Sequence, residues 1–172
     1  DRATGAVTDE LTAPMVERAA RRGRKFAGEA PTERLLDAAA ALDSVLAEAP
    51  EGRLTEVSGH LFDVLVAVRD AGHDALTAIG TAKSGDDDVA ARVRARAAVE
   101  EVHEVAGRLV VAGEQDVVWL TKPDRRPPTL YRAPLFVGGL LRAGLFEEHK
   151  VVLTSATLEL GGGFEPVARG VG

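Results

Sequence analysis

Apolar residues recur at helical spacing through most of the first 113 residues, and this periodicity constrains the fold more than any other feature of the sequence. The clearest case is the segment 31–49, whose apolar face is formed by Leu35, Leu36, Ala39, Leu42, Val45 and Leu46. Pro31 and Thr32 open this predicted helix. The Ala49-Pro50 step ends it, because a proline disfavours helical geometry in the residue before it.

The same pattern predicts three more helices. One runs over residues 13–27, with Thr12 as its N-cap and Pro14 in the first turn. Another starts near Leu54, reaches Gly72 and restarts through the residues around Ile79. The last begins near residues 86–88, after a loop at 80–88, and continues to residue 111. Four helices joined by short polar links predict an antiparallel bundle or an arch-like array.

The pattern changes after Gly113. Residues 117–120 predict a short strand, residues 123–128 form a loop rich in proline and arginine, and Leu130 and Tyr131 start a second strand. A short helix is predicted over 134–146, and the apolar run 151–153 is typical of a strand covered on both faces. The expected fold class is therefore mainly α with a small α/β part, divided into residues 1–113 and 114–172.

Composition excludes several function classes. The formal net charge of −6 opposes a freestanding nucleic-acid-binding module, so any DNA contact must be a local patch. Without cysteine the chain holds no disulfide, zinc–thiolate site or iron–sulfur cluster. No apolar run approaches the roughly 20 residues that cross a bilayer, and the polar opening from Asp1 lacks the core of a signal peptide. A cytoplasmic location is expected.

Two groups of basic residues are candidates for contacts with DNA phosphates. Arg18, Arg21 and Lys25 share one side of the first predicted helix, and Arg125 and Arg126 lie in the proline loop. The alternative is a solvated charged face, because acidic residues are interspersed and no aromatic residue interleaves with the arginines to stack bases.

Other candidate sites are weaker. The histidines, at positions 60, 73, 103 and 149, lack metal-ligand spacing and are expected at the surface or its boundary. Lys83-Ser84 lacks the glycine spacing of a phosphate loop. The triple glycine Gly161 to Gly163 predicts a flexible loop, since no lysine opens a helix after it.

The string Thr154-Ser155-Ala156-Thr157 directly follows the predicted strand 151–153. Short hydroxyl side chains both donate and accept hydrogen bonds, so they can relay between neighbouring elements or simply cap the end of a strand. The string resembles motif III of superfamily 2 helicases. Its flanks are similar to those of the DinG/XPD-like branch of that superfamily, in Ala133-Pro134-Leu135-Phe136-Val137 upstream and Gly162-Gly163-Phe164-Glu165-Pro166 downstream.

This resemblance implies an internal segment of an ATP-dependent DNA helicase. The opening Asp1-Arg2-Ala3-Thr4 is similar to the sequence just after the acidic motif of that family. Residues 1–113 would then form an arch-like insertion, and residues 114–172 the C-terminal part of the first RecA-like domain, with motif III coupling hydrolysis to movement. The implied partners are single-stranded or forked DNA and the remaining helicase domains, with ATP and Mg²⁺ as cofactors of the whole enzyme.

The residues that hydrolyse ATP in that family have no counterpart in this sequence. It contains neither the Gly-x-x-x-x-Gly-Lys-Ser/Thr phosphate loop nor an Asp-Glu-Ala-His string. The segment is therefore expected to be inactive alone. The alternative function is a helical protein-interaction module whose C-terminal strand only completes its fold.

Overall fold

The computed structural model describes residues 8–81 and 88–136, together with four isolated positions, at 138, 147, 150 and 164. The chain divides into two compact units. One is Thr8–Ala133, which contains nearly all the described residues. The other combines Asp1–Val7 with Pro134–Gly172.

Four helices dominate the described residues and confirm the prediction of a mainly α fold with a small α/β part. They are α1 (Ala13–Ala27), α2 (Glu29–Glu48), α3 (Gly59–Thr81) and α4 (Val89–Val110). The predicted bounds of α1 are confirmed, since Thr12 Oγ1 accepts a hydrogen bond from the Met15 N–H at 3.2 Å and Pro14 lies in the first turn. None of the helices in the described ranges is long and apolar enough to cross a membrane.

The four helices share one aliphatic core. The predicted apolar face of α2 is confirmed, because Leu35, Leu42 and Leu46 are fully buried. They belong to the same core as Leu65 and other apolar residues of α3, and α1 packs against α2, α3 and α4. The core consists mainly of leucine, valine and alanine, in agreement with an aromatic content of only 4%.

The predicted start of the third helix and its break at Gly72 were wrong. Helix α3 begins at Gly59 and continues without interruption to Thr81, while Leu54 belongs to a strand. Gly72 is explained by packing: a Cβ atom added there would lie 3.1 Å from His103 Cβ in α4. The glycine therefore permits a close approach of two helices and does not end one. The predicted loop at 80–88 also starts too early, since Gly80 is helical.

A four-stranded antiparallel sheet completes the unit, with strand order β1-β4-β3-β2. Its strands are β1 (Asp9–Leu11), β2 (Gly52–Leu54), β3 (Asp116–Thr121) and β4 (Thr129–Pro134). The two strands predicted after Gly113, and the loop between them, are confirmed as β3 and β4. Strands β1 and β2 were not predicted. Leu11, Val118, Leu120 and Leu130 are buried and join the helical core, so one face of the sheet is apolar.

Strands β3 and β4 therefore lie in the same compact unit as the helices, apart from Pro134 at the end of β4. The predicted helix over 134–146 and the predicted strand 151–153 fall outside the described residues, apart from single positions. The assignment of residues 114–172 to a RecA-like motor domain stays a prediction.

Candidate nucleic-acid interface

Helix α1 presents a basic face to solvent. Val16, Ala19 and Ala20 are buried, while Arg18, Arg21 and Lys25 are exposed. Arg22 and Arg24 are exposed on the same helix, and Glu17 is its only acidic residue. Helical periodicity thus separates an apolar side from a cationic side, which is the arrangement required for contacts with phosphates.

Carboxylates of neighbouring segments neutralise part of this face. Arg21 forms an ion pair with Glu17 one turn earlier, and Lys25 Nζ lies 2.7 Å from Asp88 Oδ1 at the start of α4. Arg18 forms no ion pair with any residue in the described ranges. Exposed pairs of this kind contribute at most about 1 kcal/mol, so a phosphate could replace either carboxylate. A phosphate bound by Arg18 would displace no carboxylate of the described residues.

The second predicted group lies elsewhere on the unit. Arg125 and Arg126 are exposed in the loop 122–128 between β3 and β4, where the Arg126 N–H donates to the Pro123 carbonyl at 3.2 Å. Neither arginine has an ion-pair partner within the described part of the chain, and no hydrogen bond described there connects them to α1. The two groups therefore lie on different elements of the unit.

An aromatic pair beside this loop was missed by the sequence analysis. The rings of Trp119 in β3 and Tyr131 in β4 are stacked, with centroids 5.1 Å apart and planes inclined by 12°. Trp119 lies two residues before the last residue of β3, and Tyr131 lies two residues after the first residue of β4. This symmetry about the proline loop is the signal that could have revealed the pair, because equidistant residues of a hairpin meet across it.

An ionic cluster within the unit Thr8–Ala133 was also missed. Arg132 Nη1 lies 3.1 Å from Asp9 Oδ2, and Arg132 Nη2 lies 2.6 Å from Asp116 Oδ1. Arg108 of α4 donates from Nε to both Asp9 oxygens, at 3.0 and 3.1 Å. These hydrogen bonds to Asp9 raise the pKa of Arg108 above its usual value despite partial burial. No pattern in the sequence predicts contacts between residues that are so far apart along the chain.

The string that resembles motif III, at Thr154, Ser155, Ala156 and Thr157, lies outside the described residues, as does His149. His60 and His73 are exposed and His103 is half-buried, which confirms the surface or boundary placement predicted for these three. His103 Nδ1 lies 2.8 Å from the Arg69 carbonyl oxygen, and its ring contacts that of His73. Across the described ranges, no group of three or more potential ligands is arranged to hold a metal ion.

Comparison with curated proteins finds similarity along almost the whole chain. No family model matches it. Curated proteins of Mycobacterium tuberculosis and Mycobacterium bovis, each named ATP-dependent helicase DinG, are 35% identical to it over 177 aligned residues. The chain is similar to DinG helicases. This finding confirms the resemblance that motif III and its flanks indicated.

The similarity to DinG covers 98% of this chain and therefore includes residues of both compact units. The chain spans about a quarter of the length of these DinG proteins, 26% in each case. The alignment thus corresponds to one segment of a DinG helicase and leaves most of that enzyme outside the comparison.

Proposed function

We propose that this chain is a segment of an ATP-dependent DNA helicase, in which it helps to couple ATP hydrolysis to translocation and unwinding on single-stranded or forked DNA. The observation that carries the proposal is the 35% identity to DinG helicases over 98% of the chain. The whole enzyme would use ATP and Mg²⁺. Their usual ligands are missing from this sequence, so the remaining helicase domains would supply them.

The connections of the helical unit support an inserted domain. The unit Thr8–Ala133 is entered through β1 and left through β4, and these strands pair with each other. Asp9 is opposite Arg132 and Leu11 is opposite Leu130. Adjacent entry and exit points allow a domain to be inserted into a host without disturbing the host fold. An arch-like insertion into a motor domain requires such adjacent entry and exit points.

We assign two tasks to the segment. The helical part guides the DNA strand through phosphate contacts of Arg18, Arg21 and Lys25 on α1 and of Arg125 and Arg126 in the β3–β4 loop. The C-terminal part belongs to the first RecA-like domain, where the Ser155 and Thr157 hydroxyls relay between the hydrolysis site and the moving part of the motor. The exposed charges of α1 and the β3–β4 loop support the first task, and motif resemblance supports the second.

The test compares the full-length protein with the 172-residue chain. The full-length protein is expected to hydrolyse ATP in a DNA-stimulated reaction and to unwind a forked duplex with Mg²⁺ present, whereas the isolated chain is expected to do neither. Turnover by a rigorously cleaned preparation of the chain would contradict the proposal. Absence of DNA-stimulated hydrolysis in the full-length protein would favour the helical protein-interaction module instead.

A further inference from the structure

The outer face of the sheet carries one side chain from each strand in a row. Glu10 pairs with Tyr131 across β1 and β4, and Arg53 pairs with Trp119 across β2 and β3. The stacking of Tyr131 on Trp119 joins the two pairs. Since side chains alternate along a strand, these four residues lie on the face opposite the buried Leu11, Val118, Leu120 and Leu130.

The aromatic pair forms the centre of this row. Trp119 and Tyr131 are half-buried, so each residue stays partly accessible to solvent. The two stacked rings run across the sheet from Tyr131 in β4 to Trp119 in β3. The next residue in this direction is Arg53, which lies opposite Trp119 in the edge strand β2. No cation–π contact between Arg53 and Trp119 is present among the described residues. A third planar ring could therefore continue the stack on the β2 side of Trp119.

The charges around the stack favour an anionic occupant. Arg53, Arg125 and Arg126 are exposed, and none forms an ion pair within the described ranges. In the same sheet Arg132 is engaged by Asp9 and Asp116. At this end of the sheet, on β2 and the β3–β4 loop, these three arginines and Lys122 outnumber the two carboxylates Glu51 and Asp124. The local charge is therefore positive in a chain whose net charge is −6.

We propose that the outer face of the sheet binds single-stranded DNA, with a base stacked on Trp119 and the flanking phosphates paired with Arg53 and with Arg125 or Arg126. Aromatic stacking requires an exposed base face, which an unpaired strand offers and a duplex hides. The guanidinium groups supply the phosphate contacts that fix the strand along the sheet. The inference rests on the proposed helicase function and adds a site, at Arg53, Trp119 and Tyr131, to that function.

The test uses the fact that Trp119 is the only tryptophan of the chain, so intrinsic fluorescence reports on this site alone. The 172-residue chain is titrated with an oligothymidylate at low ionic strength. Stacking of a base on Trp119 is expected to quench most of its emission. With two phosphate contacts at this site, each adding roughly 0.7 to the salt slope on a single strand, raising the salt from about 50 to about 200 mM is expected to weaken binding at this site by roughly 7-fold.

Substitutions locate the phosphate contacts. Arg53→Ala and Arg125→Ala are each expected to weaken binding several-fold. The matched control is Arg94→Ala, which removes an exposed arginine of α4 that also forms no ion pair in the described part of the chain and is expected to leave binding unchanged. Trp119→Phe, followed by the anisotropy of a labelled oligonucleotide, measures the loss of stacking area. Circular dichroism checks that each variant is folded.

Two results would overturn the inference. One is unchanged Trp119 emission while anisotropy shows the oligonucleotide bound, which would place DNA elsewhere on the chain. The other is emission that is blue-shifted and resistant to acrylamide before DNA is added, which would mean that protein covers this face. Either result leaves the helicase proposal standing if the full-length protein unwinds DNA. Failure of unwinding together with salt-sensitive quenching would instead remove the helicase proposal and keep the binding site.

Discussion

Asp9 and Arg132 lie opposite each other in the β1–β4 pair, and their side chains form an ion pair with 3.1 Å between Oδ2 and Nη1. The same guanidinium contacts Asp116, and all three side chains are at most 19% exposed. The pair is located where the chain enters and leaves the helical unit. It therefore fastens the two connecting strands to each other and, through Arg108, to helix α4.

Replacing Arg132 by methionine is expected to destabilise the protein by about 2–3 kcal/mol, because Asp9 and Asp116 would lose a charged hydrogen-bond partner while largely screened from water. Urea unfolding of the chain measures this loss. The control is Arg21→Met, which breaks the exposed pair with Glu17 and is expected to cost no more than about 0.5 kcal/mol. Equal losses in the two variants would show that the ionic cluster around Arg132 contributes no more than a surface pair.

A second prediction concerns two helical glycines. Gly72→Ala is expected to destabilise the protein by about 1–2 kcal/mol, because the new methyl group would press on His103 Cβ at 3.1 Å and on its Cα at 3.4 Å, and a backbone shift is costly in a packed interior. Gly107→Ala is the matched control. Its Cβ would meet only the flexible Arg69 Cδ at 3.9 Å, so helix propensity should stabilise the protein by up to about 1 kcal/mol.

Thermal or urea unfolding of both glycine variants measures whether each substitution raises or lowers the free energy of unfolding. Stabilisation by both substitutions would mean that helices α3 and α4 can separate slightly at little cost. In that case the close approach at Gly72 would not explain why a glycine is found inside a long helix.

The elements that sequence predicted correctly are those determined by neighbouring residues. Helix α1 was bounded correctly because its N-cap Thr12 and its Pro14 act within one turn. Strands β1 and β2 have three residues each, and they exist because of partners in β4 and β3 that are distant along the chain. Periodicity carries no information about such pairing, so Leu54 was assigned to a helix although it pairs with Val118.

The same distinction applies to the candidate site. The cationic side of α1 follows from helical spacing, and Arg18, Arg21 and Lys25 are exposed together as expected. The partner of Lys25 is Asp88, at the start of a helix 63 residues later, and only the tertiary fold brings them together. The stacking of Trp119 on Tyr131 was within reach of a hairpin argument, whereas the Asp9–Arg132 pair was not.

A third prediction tests the basic face of α1. Binding of single-stranded DNA to this chain is expected to be weak and to fall with added salt, because a few arginine and lysine contacts act on an acidic background. Neutralising Arg18, Arg21 and Lys25 together is expected to lower the slope of log K against log salt by about 2, since each contact on a single strand accounts for roughly 0.7. Titrations of a labelled oligonucleotide at several ionic strengths measure this slope.

Within this set, Arg18→Ala is expected to weaken binding more than Arg21→Ala, because Arg21 is already paired with Glu17 and Arg18 has no ion-pair partner in the described part of the chain. Tight binding that ignores both salt and the triple substitution would place the DNA path away from α1.

The last prediction concerns Ser155 and Thr157, which resemblance to motif III places between the hydrolysis site and the moving part of the motor. If their hydroxyls relay and perform no chemistry, the double variant Ser155→Ala with Thr157→Ala in the full-length enzyme is expected to keep much of its DNA-stimulated ATPase and to lose most of its unwinding. Loss of a group that acts in hydrolysis would lower both rates together. ATP consumed per base pair opened therefore rises in the first case and stays constant in the second.

A purely structural role predicts a third outcome. Hydroxyls that only cap the end of a strand contribute about 1 kcal/mol for each hydrogen bond, so the double variant would unfold at a lower temperature while its coupling ratio stayed unchanged. Measuring the thermal midpoint beside the coupling ratio separates this outcome from the other two. A lower midpoint with an unchanged ratio would remove motif III from the proposed mechanism, and the helicase assignment would then depend on the similarity to DinG alone.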